Sequence, residues 1–153
     1  MKSDFTDAAL LSITRVVIME DLIRFFKKDK FAAHAGIELL EVTPGYAKAR
    51  MVIEEKHLNG LKMVQGGALF TLADLAFAAA SNAYGTAAVG VNANMSFVKA
   101  ATKGTLTAEA KETSINPKIA TYTVNITDDE GGLIAIFQGM AYRKKFSLDF
   151  SDV

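Results

Sequence analysis

His57-Leu58-Asn59-Gly60-Leu61-Lys62-Met63-Val64-Gln65-Gly66-Gly67 runs straight into Ala68-Leu69-Phe70-Thr71-Leu72-Ala73-Asp74-Leu75-Ala76-Phe77-Ala78-Ala79-Ala80-Ser81-Asn82-Ala83-Tyr84. A polar loop containing glycines is followed by a long apolar segment with a single acid, Asp74. Read as a helix, Gly66 to Tyr84 would be about 28 Å long at 1.5 Å per residue. It is apolar nearly all round, so it is predicted to be buried rather than to lie on the surface. Ala68, Ala73, Ala76, Ala78, Ala79 and Ala80 leave room for close approach to a curved sheet. The apolar run Ala68–Ala83 is broken by Asp74 and is shorter than the roughly 20 residues that cross a bilayer. A transmembrane helix is therefore not expected.

Strands flank this segment. Ile37–Val42 leads into Thr43-Pro44-Gly45, and Tyr46–Ile53 alternates beyond it, so a hairpin is predicted. Ala88–Val98, Thr105–Ser114, Ile119–Asp128 and Leu133–Lys144 read as four further strands. Turn-forming sequences separate the later ones: Thr102-Lys103-Gly104, Asn116-Pro117-Lys118 and Asp128-Asp129-Glu130-Gly131-Gly132. Ahead of the hairpin, residues from about Asp4 to Lys30 read as one long or two short helices, with Asp4 or Thr6 as a cap and Ile18, Leu22 and Phe25 or Phe26 at helical spacing. Glu20 and Asp21 interrupt the polar side of that segment, which favours packing on the domain or a partner subunit over a membrane surface. The order implies an α+β domain with one antiparallel sheet against one helix. The expected divisions are an N-terminal helical extension (1–30), the domain proper (31–146) and a tail (147–153).

Half of the 153 residues are hydrophobic, which excludes a disordered chain and supports one core. Acidic and basic residues balance at 17 each, so no global field draws the chain to nucleic acid or an anionic membrane. Any anionic ligand must be held by local basic groups. The absence of cysteine removes disulfides, thiolate metal sites and cysteine nucleophiles. With no signal-peptide pattern, the expected setting is cytoplasmic.

Asp74 follows Gly66 by eight residues, a little over two turns, so the acid lies inside the helix while the glycines start it. Desolvation among alanines, leucines and phenylalanines would raise its pKa toward a range useful to a general base. The structural alternative is a bond to Thr71 or Ser81, or a bridge between subunits. Unpaired N–H groups at Gly66-Gly67, with the helix dipole behind them, can polarise a carbonyl, and glycine lets a substrate approach the backbone. An ordinary tight loop is the alternative there. His57 and Asn59, two apart, would face the same way in an extended loop and could hold a water or a carbonyl, although a histidine more often merely structures a loop. His34 is far off in sequence, no metal-ligand spacing is present, and neither a P-loop nor a serine nucleophile elbow is found. No metal or cofactor is expected.

The stretch resembles the hot-dog-fold acyl-CoA thioesterases, in particular the phenylacetic-acid-pathway (PaaI-type) branch. The family pattern His-x-Asn-x-x-Gly-x-x-His-Gly-Gly stands here as His57 to Gly67, with Leu72-Ala73-Asp74 at the expected distance. The resemblance covers about residues 31–144, including the Thr43-Pro44-Gly45 turn and the strand carrying Asn94-Met95-Ser96-Phe97-Val98-Lys99. It implies a central helix wrapped by a curved antiparallel sheet, and a homodimer or homotetramer with sites shared between subunits. It further implies that the N–H of Gly66 polarises a thioester carbonyl, that Asn59 places water or carbonyl, and that Asp74 of the other subunit is base or nucleophile. Gln65 and Lys62 depart from the pattern. Glutamine stands for the usual histidine and can orient a neighbour but cannot ionise; Lys62 stands for a glycine and adds a cation at the mouth.

On the substrate side the resemblance implies an acyl-CoA, aryl-acetyl or medium-chain, contacted by His57, Gly67, Phe70, Asn92, Asn94 and Lys99. Phe70, Phe77 and Met63 are candidates for the acyl pocket. Lys99, Lys103, Lys118, Arg143 and Lys144 are candidates for the phosphates of coenzyme A. Three activities fit the residues: hydrolysis of the thioester, acyl-CoA binding without turnover, and a hydroxyacyl-thioester dehydration that Gln65 disfavours.

Overall fold

The computed structural model describes residues 19–151. The expected caps Asp4 and Thr6, and Ile18, lie outside them. Within the described part the N-terminal helix is two helices. Residues 19–26 form α1, Lys27-Lys28 make a turn, and Asp29 caps α2 (Lys30–His34) by accepting from the Ala32 N–H at 2.9 Å. Leu22 of α1 is buried in the core, and Phe25 meets Phe26 and Phe150 edge to face.

The strands are β1 (Ile37–Thr43), β2 (Tyr46–Val52), β3 (Thr86–Phe97), β4 (Thr105–Ile115), β5 (Ile119–Thr127) and β6 (Leu133–Ser147). They form one sheet in the order β1-β2-β4-β5-β6-β3, antiparallel throughout. The predicted turns close as their residues suggest. Gly45 and Gly104 adopt φ of 77° and 90°, and Asn116 Oδ1 accepts from the N–H groups of Lys118 and Ile119.

The long helix, α3, runs from Gly66 to Asn82 and lies against the inner face of this sheet. Its approach is a matter of side-chain size. Ala73, Ala76, Ala79 and Ala80 on the helix, and Ala47, Ala49, Ala108, Ala110, Ala120 and Ala141 on the strands, are essentially inaccessible to water. Phe77 is the large exception and fits where the sheet has no side chain: a Cβ on Gly139 would come within 2.9 Å of its ring, and one on Gly90 within 3.2 Å. The helix stops two residues before Tyr84, with Gly85 turning at φ 77°, and buried Asn82 clamps the departing chain, its amide donating to Ala88 O and accepting from Ala88 N–H at 3.1 and 2.9 Å.

In one respect the helix departs from expectation. It is not buried on all sides: Gly67, Phe70 and Asp74 are exposed and Thr71 and Ala78 half-buried, which makes one open stripe at helical spacing. The sheet, together with α2 on one side, covers the remaining circumference. At the sheet margin, β3 is a 12-residue edge strand on which Val89 and Val91 face solvent. Among the described residues no helix is long and apolar enough to cross a membrane.

Candidate active site

The chain enters α3 under tight backbone control. Val64 N–H donates to Ala101 O and Gln65 N–H to His57 O, both at 2.8 Å. This fixes Gln65 as the N-cap, with extended dihedrals and a side chain whose Oε1 accepts from the N–H groups of Gly67 and Ala68. The first helical N–H, that of Gly66, has no acceptor among the described residues. A Cβ at Gly66 would stand 2.9 Å from the tip of the Phe97 ring, so the aromatic lies close over the glycine and would have to shift for any other residue.

Asn59 is held by its own loop. Its Oδ1 accepts from Leu61 N–H at 2.9 Å and Met63 N–H at 3.2 Å, while its backbone N–H donates to Met63 O and its carbonyl accepts from Lys62 N–H. With the oxygen turned inward, the Nδ2 donors have no partner among the described residues. Lys62, which resembles a family glycine position, has φ of 60°, the one positive φ of a non-glycine residue among those described. The loop thus keeps a glycine-like path through a lysine.

His57 does not face the same way as Asn59. Glu55–His57 is a 3-10 turn rather than extended chain, so the two-residue alternation fails. The ring is 4% exposed. Its Nδ1 accepts from Glu54 N–H at 2.9 Å, which leaves Nε2 to donate to Ala35 O at 2.8 Å. Both nitrogens are committed to backbone, so the expected contact of His57 with substrate reduces to the edge of its ring.

Asp74 lies on the open stripe. Neither hydroxyl offered as its partner bonds to it: Thr71 donates to Gly67 O and Ser81 to Ala78 O. Although the residue is exposed as a whole, its carboxyl is partly screened from water. Desolvation is the main cause that holds its pKa above the ordinary value, and the negative charge of Asp29 adds to it.

Two concavities meet at the start of α3. The larger, about 590 Å³, is lined by Gln65, Gly67, Phe70, His57, Phe31 and His34 among others; the smaller, about 340 Å³, by Asn59, Gly66, Met63, Phe97 and Lys99. Sequence order hides Phe31 and His34, which reach the site because α2 folds back beside it. Phe97 had a signal, as it stands in the strand after the helix, but its seat over Gly66 is a tertiary fact. One expectation needs correcting, and the remaining candidates are placed as follows. Phe77 is 2% exposed and packed on Tyr122 and Phe137, so it belongs to the core and not to an acyl pocket. Asn92 and Asn94 stand on the edge strand β3 and, within the single chain, line a hollow with Thr113, Thr123 and Gln138. Arg143 is engaged by Asn116 O and the Tyr84 ring.

This geometry has counterparts. The chain belongs to the thioesterase superfamily, the thioester hydrolases of hot-dog fold, whose family model matches residues 61–135. Within it the similarity is to the PaaI-type branch. The acyl-coenzyme A thioesterase PaaI of Escherichia coli K12 is 33% identical over 119 residues, 77% of this chain and 85% of that protein. The structure of the E. coli PaaI protein from the phenylacetic acid degradation operon superposes with a TM-score of 0.81 at 29% identity, covering 85% of this chain and 95% of that one. The TT0310 protein from Thermus thermophilus gives 0.73 at 33% identity, covering 76% and 99%.

Proposed function

We propose that the chain hydrolyses an acyl-CoA to the free acid and CoA in a site completed by a second copy. The observation that carries this reading is the Gly66 N–H at the start of α3, beside the Nδ2 of Asn59, both without a partner among the described residues. Two donors at a helix N-terminus suit the oxygen of a thioester as charge develops on it. Water attacks the carbonyl carbon, Asp74 takes its proton, and the oxyanion is held by Gly66 and Asn59. Collapse expels the CoA thiolate, which recovers the proton from Asp74. In the nucleophilic variant of the same scheme Asp74 attacks first and water hydrolyses the resulting anhydride. Gln65, capping the first turn, acts here by holding the helix start and not by proton transfer.

The acid cannot serve its own helix start. Eight residues at 1.5 Å each separate Gly66 from Asp74 by about 12 Å along the axis, too far for both to meet one carbonyl group. The unpaired β3 edge offers the means of supplying the acid from elsewhere. Pairing of two such edges would bring two open stripes together and set the Asp74 of one copy near the Gly66 of the other.

A panel of aryl-acetyl and medium-chain acyl-CoAs with a thiol-reactive dye tests the reading. Wild type is expected to release thiol, and Asp74→Ala to release none. Tight binding without thiol release from any substrate would overturn hydrolysis. Mixing Asp74→Ala with Asn59→Ala chains should restore part of the activity if the site is shared.

A further inference from the structure

Lys62 holds a conformation that lysine ordinarily avoids. Left-handed φ crowds Cβ against the following carbonyl, and glycine escapes that penalty, yet glycine stands two residues earlier at Gly60 and not here. No contact among the described residues accounts for the side chain. Lys62 is exposed, and its ammonium has no carboxylate or ring partner among the described residues. Its backbone is nonetheless pinned, donating to Asn59 O at 2.9 Å, between two residues whose N–H groups Asn59 Oδ1 accepts. The neighbouring lysines differ. Lys99 is paired with Asp128 at 3.1 Å and Lys56 with Glu54 at 3.4 Å. Lys62 is therefore the uncommitted cation between Asn59 and Met63, both of which line the smaller cavity with Gly66.

We infer that Lys62 is a specificity-determining residue that docks the phosphate-bearing end of the thioester carrier at the rim of the cavity formed by Asn59, Met63, Gly66, Phe97 and Lys99. The ligand class rests on the acyl-CoA reading above; the contact itself does not require turnover. A carrier laid across this rim places its phosphates by Lys62 and its sulfur end toward the Gly66 N–H. The strained backbone then serves to aim a charge that no described residue neutralises.

The test is calorimetric binding of free CoA and of pantetheine, which lacks the phosphates, to the full chain. Lys62→Gly is a safe variant because glycine accepts a φ of 60° without strain. It should bind CoA about fivefold more weakly than wild type at low salt, as expected for one solvent-facing ion pair, with pantetheine unaffected. The difference should vanish at high salt, where such a contact is screened, and Lys62→Arg should bind like wild type. Equal CoA affinity in Lys62→Gly, or equal losses for CoA and pantetheine, would overturn the assignment. Binding through Lys62 without thiol release from any acyl-CoA would retain it and remove hydrolysis. Hydrolysis with unchanged CoA affinity in Lys62→Gly would do the reverse.

Discussion

Replacing Gln65 by alanine separates two roles that one residue could hold at this position. Gln65 Oε1 accepts from two first-turn N–H groups, those of Gly67 and Ala68, and both bonds are exposed. Loss of an N-cap of this kind costs about 1 kcal/mol, within a range of roughly 0.5–2. For a domain of this size each kcal/mol lowers Tm by roughly 2–4 °C. Gln65→Ala should therefore melt a few degrees below wild type. Gln65→Ser, whose hydroxyl can also accept from the second or third N–H, should recover most of that loss. Neither change alters the Gly66 N–H, which Gln65 does not contact.

The activity arm decides the question. If glutamine only caps, turnover in the thiol-release assay should follow stability: slightly reduced in Gln65→Ala and recovered in Gln65→Ser. A side chain that polarised substrate or moved a proton would contribute about 10²-fold or more. A fall of that size in both variants, with Tm restored in the serine variant, would refute the capping assignment and return Gln65 to the chemistry. Gln65→His should leave the rate unchanged on the capping account, whereas a gain would mean that an ionisable group is missing from this site.

Other perturbations address the acid and the core. Asp29→Asn keeps the α2 cap, because an amide oxygen can still accept from Ala32 N–H. It removes one of the two causes that raise the Asp74 pKa, so, with Asp74 as the proposed base, the acidic limb of the kcat/KM profile should move to lower pH; an unmoved limb would show that Asp29 does not act on the group that governs it. Asp74→Asn should abolish thiol release and yet slightly raise Tm at neutral pH. A carboxyl whose folded pKa lies above its unfolded value opposes folding once ionised, and that penalty disappears as pH falls below the ordinary value of 3.8. The stabilisation should vanish in melts at about pH 3, and its persistence there would point to a cause other than charge. Gly139→Ala would drive a Cβ to 2.9 Å from Phe77 and 2.8 Å from Phe137. Overpacking of this kind costs about 1–3 kcal/mol, read as a lower urea midpoint; an unchanged midpoint would mean that the Phe77 notch relaxes freely.

The fold was legible because its signals are local. The six strands and α3 appear at or within about three residues of where alternation, turn residues and the glycine pair put them, which is the usual reach of such boundaries. What escaped depends on which surfaces close. Phe77 and Phe70 are seven residues apart on one helix and equivalent as sequence, but Gly90 and Gly139 make a notch for Phe77 while the open stripe leaves Phe70 at 37% exposure. The sequence leaves His57 between a functional contact and a loop-structuring role; the 3-10 turn commits both its nitrogens to backbone. The Asp29 charge beside Asp74 arises where α2 returns to α3, a contact with no local signature.

Asp74 shows best how the sequence argument and the structure converge from different premises. Read as sequence, its apolar neighbours bury it and burial raises its pKa. In the folded chain it faces outward, so the premise fails, yet the pKa is still raised by partial desolvation and by Asp29. An acid that is neither bonded nor fully buried, on an apolar stripe with no cover from its own sheet, is unfinished as a piece of a monomer. A second copy laid over that stripe would deepen the desolvation and bring a Gly66 N–H within reach. The basicity of Asp74 should then depend on association, so its pKa should fall on dilution to monomer and yet stay above the ordinary value, where its own chain's partial desolvation and Asp29 hold it.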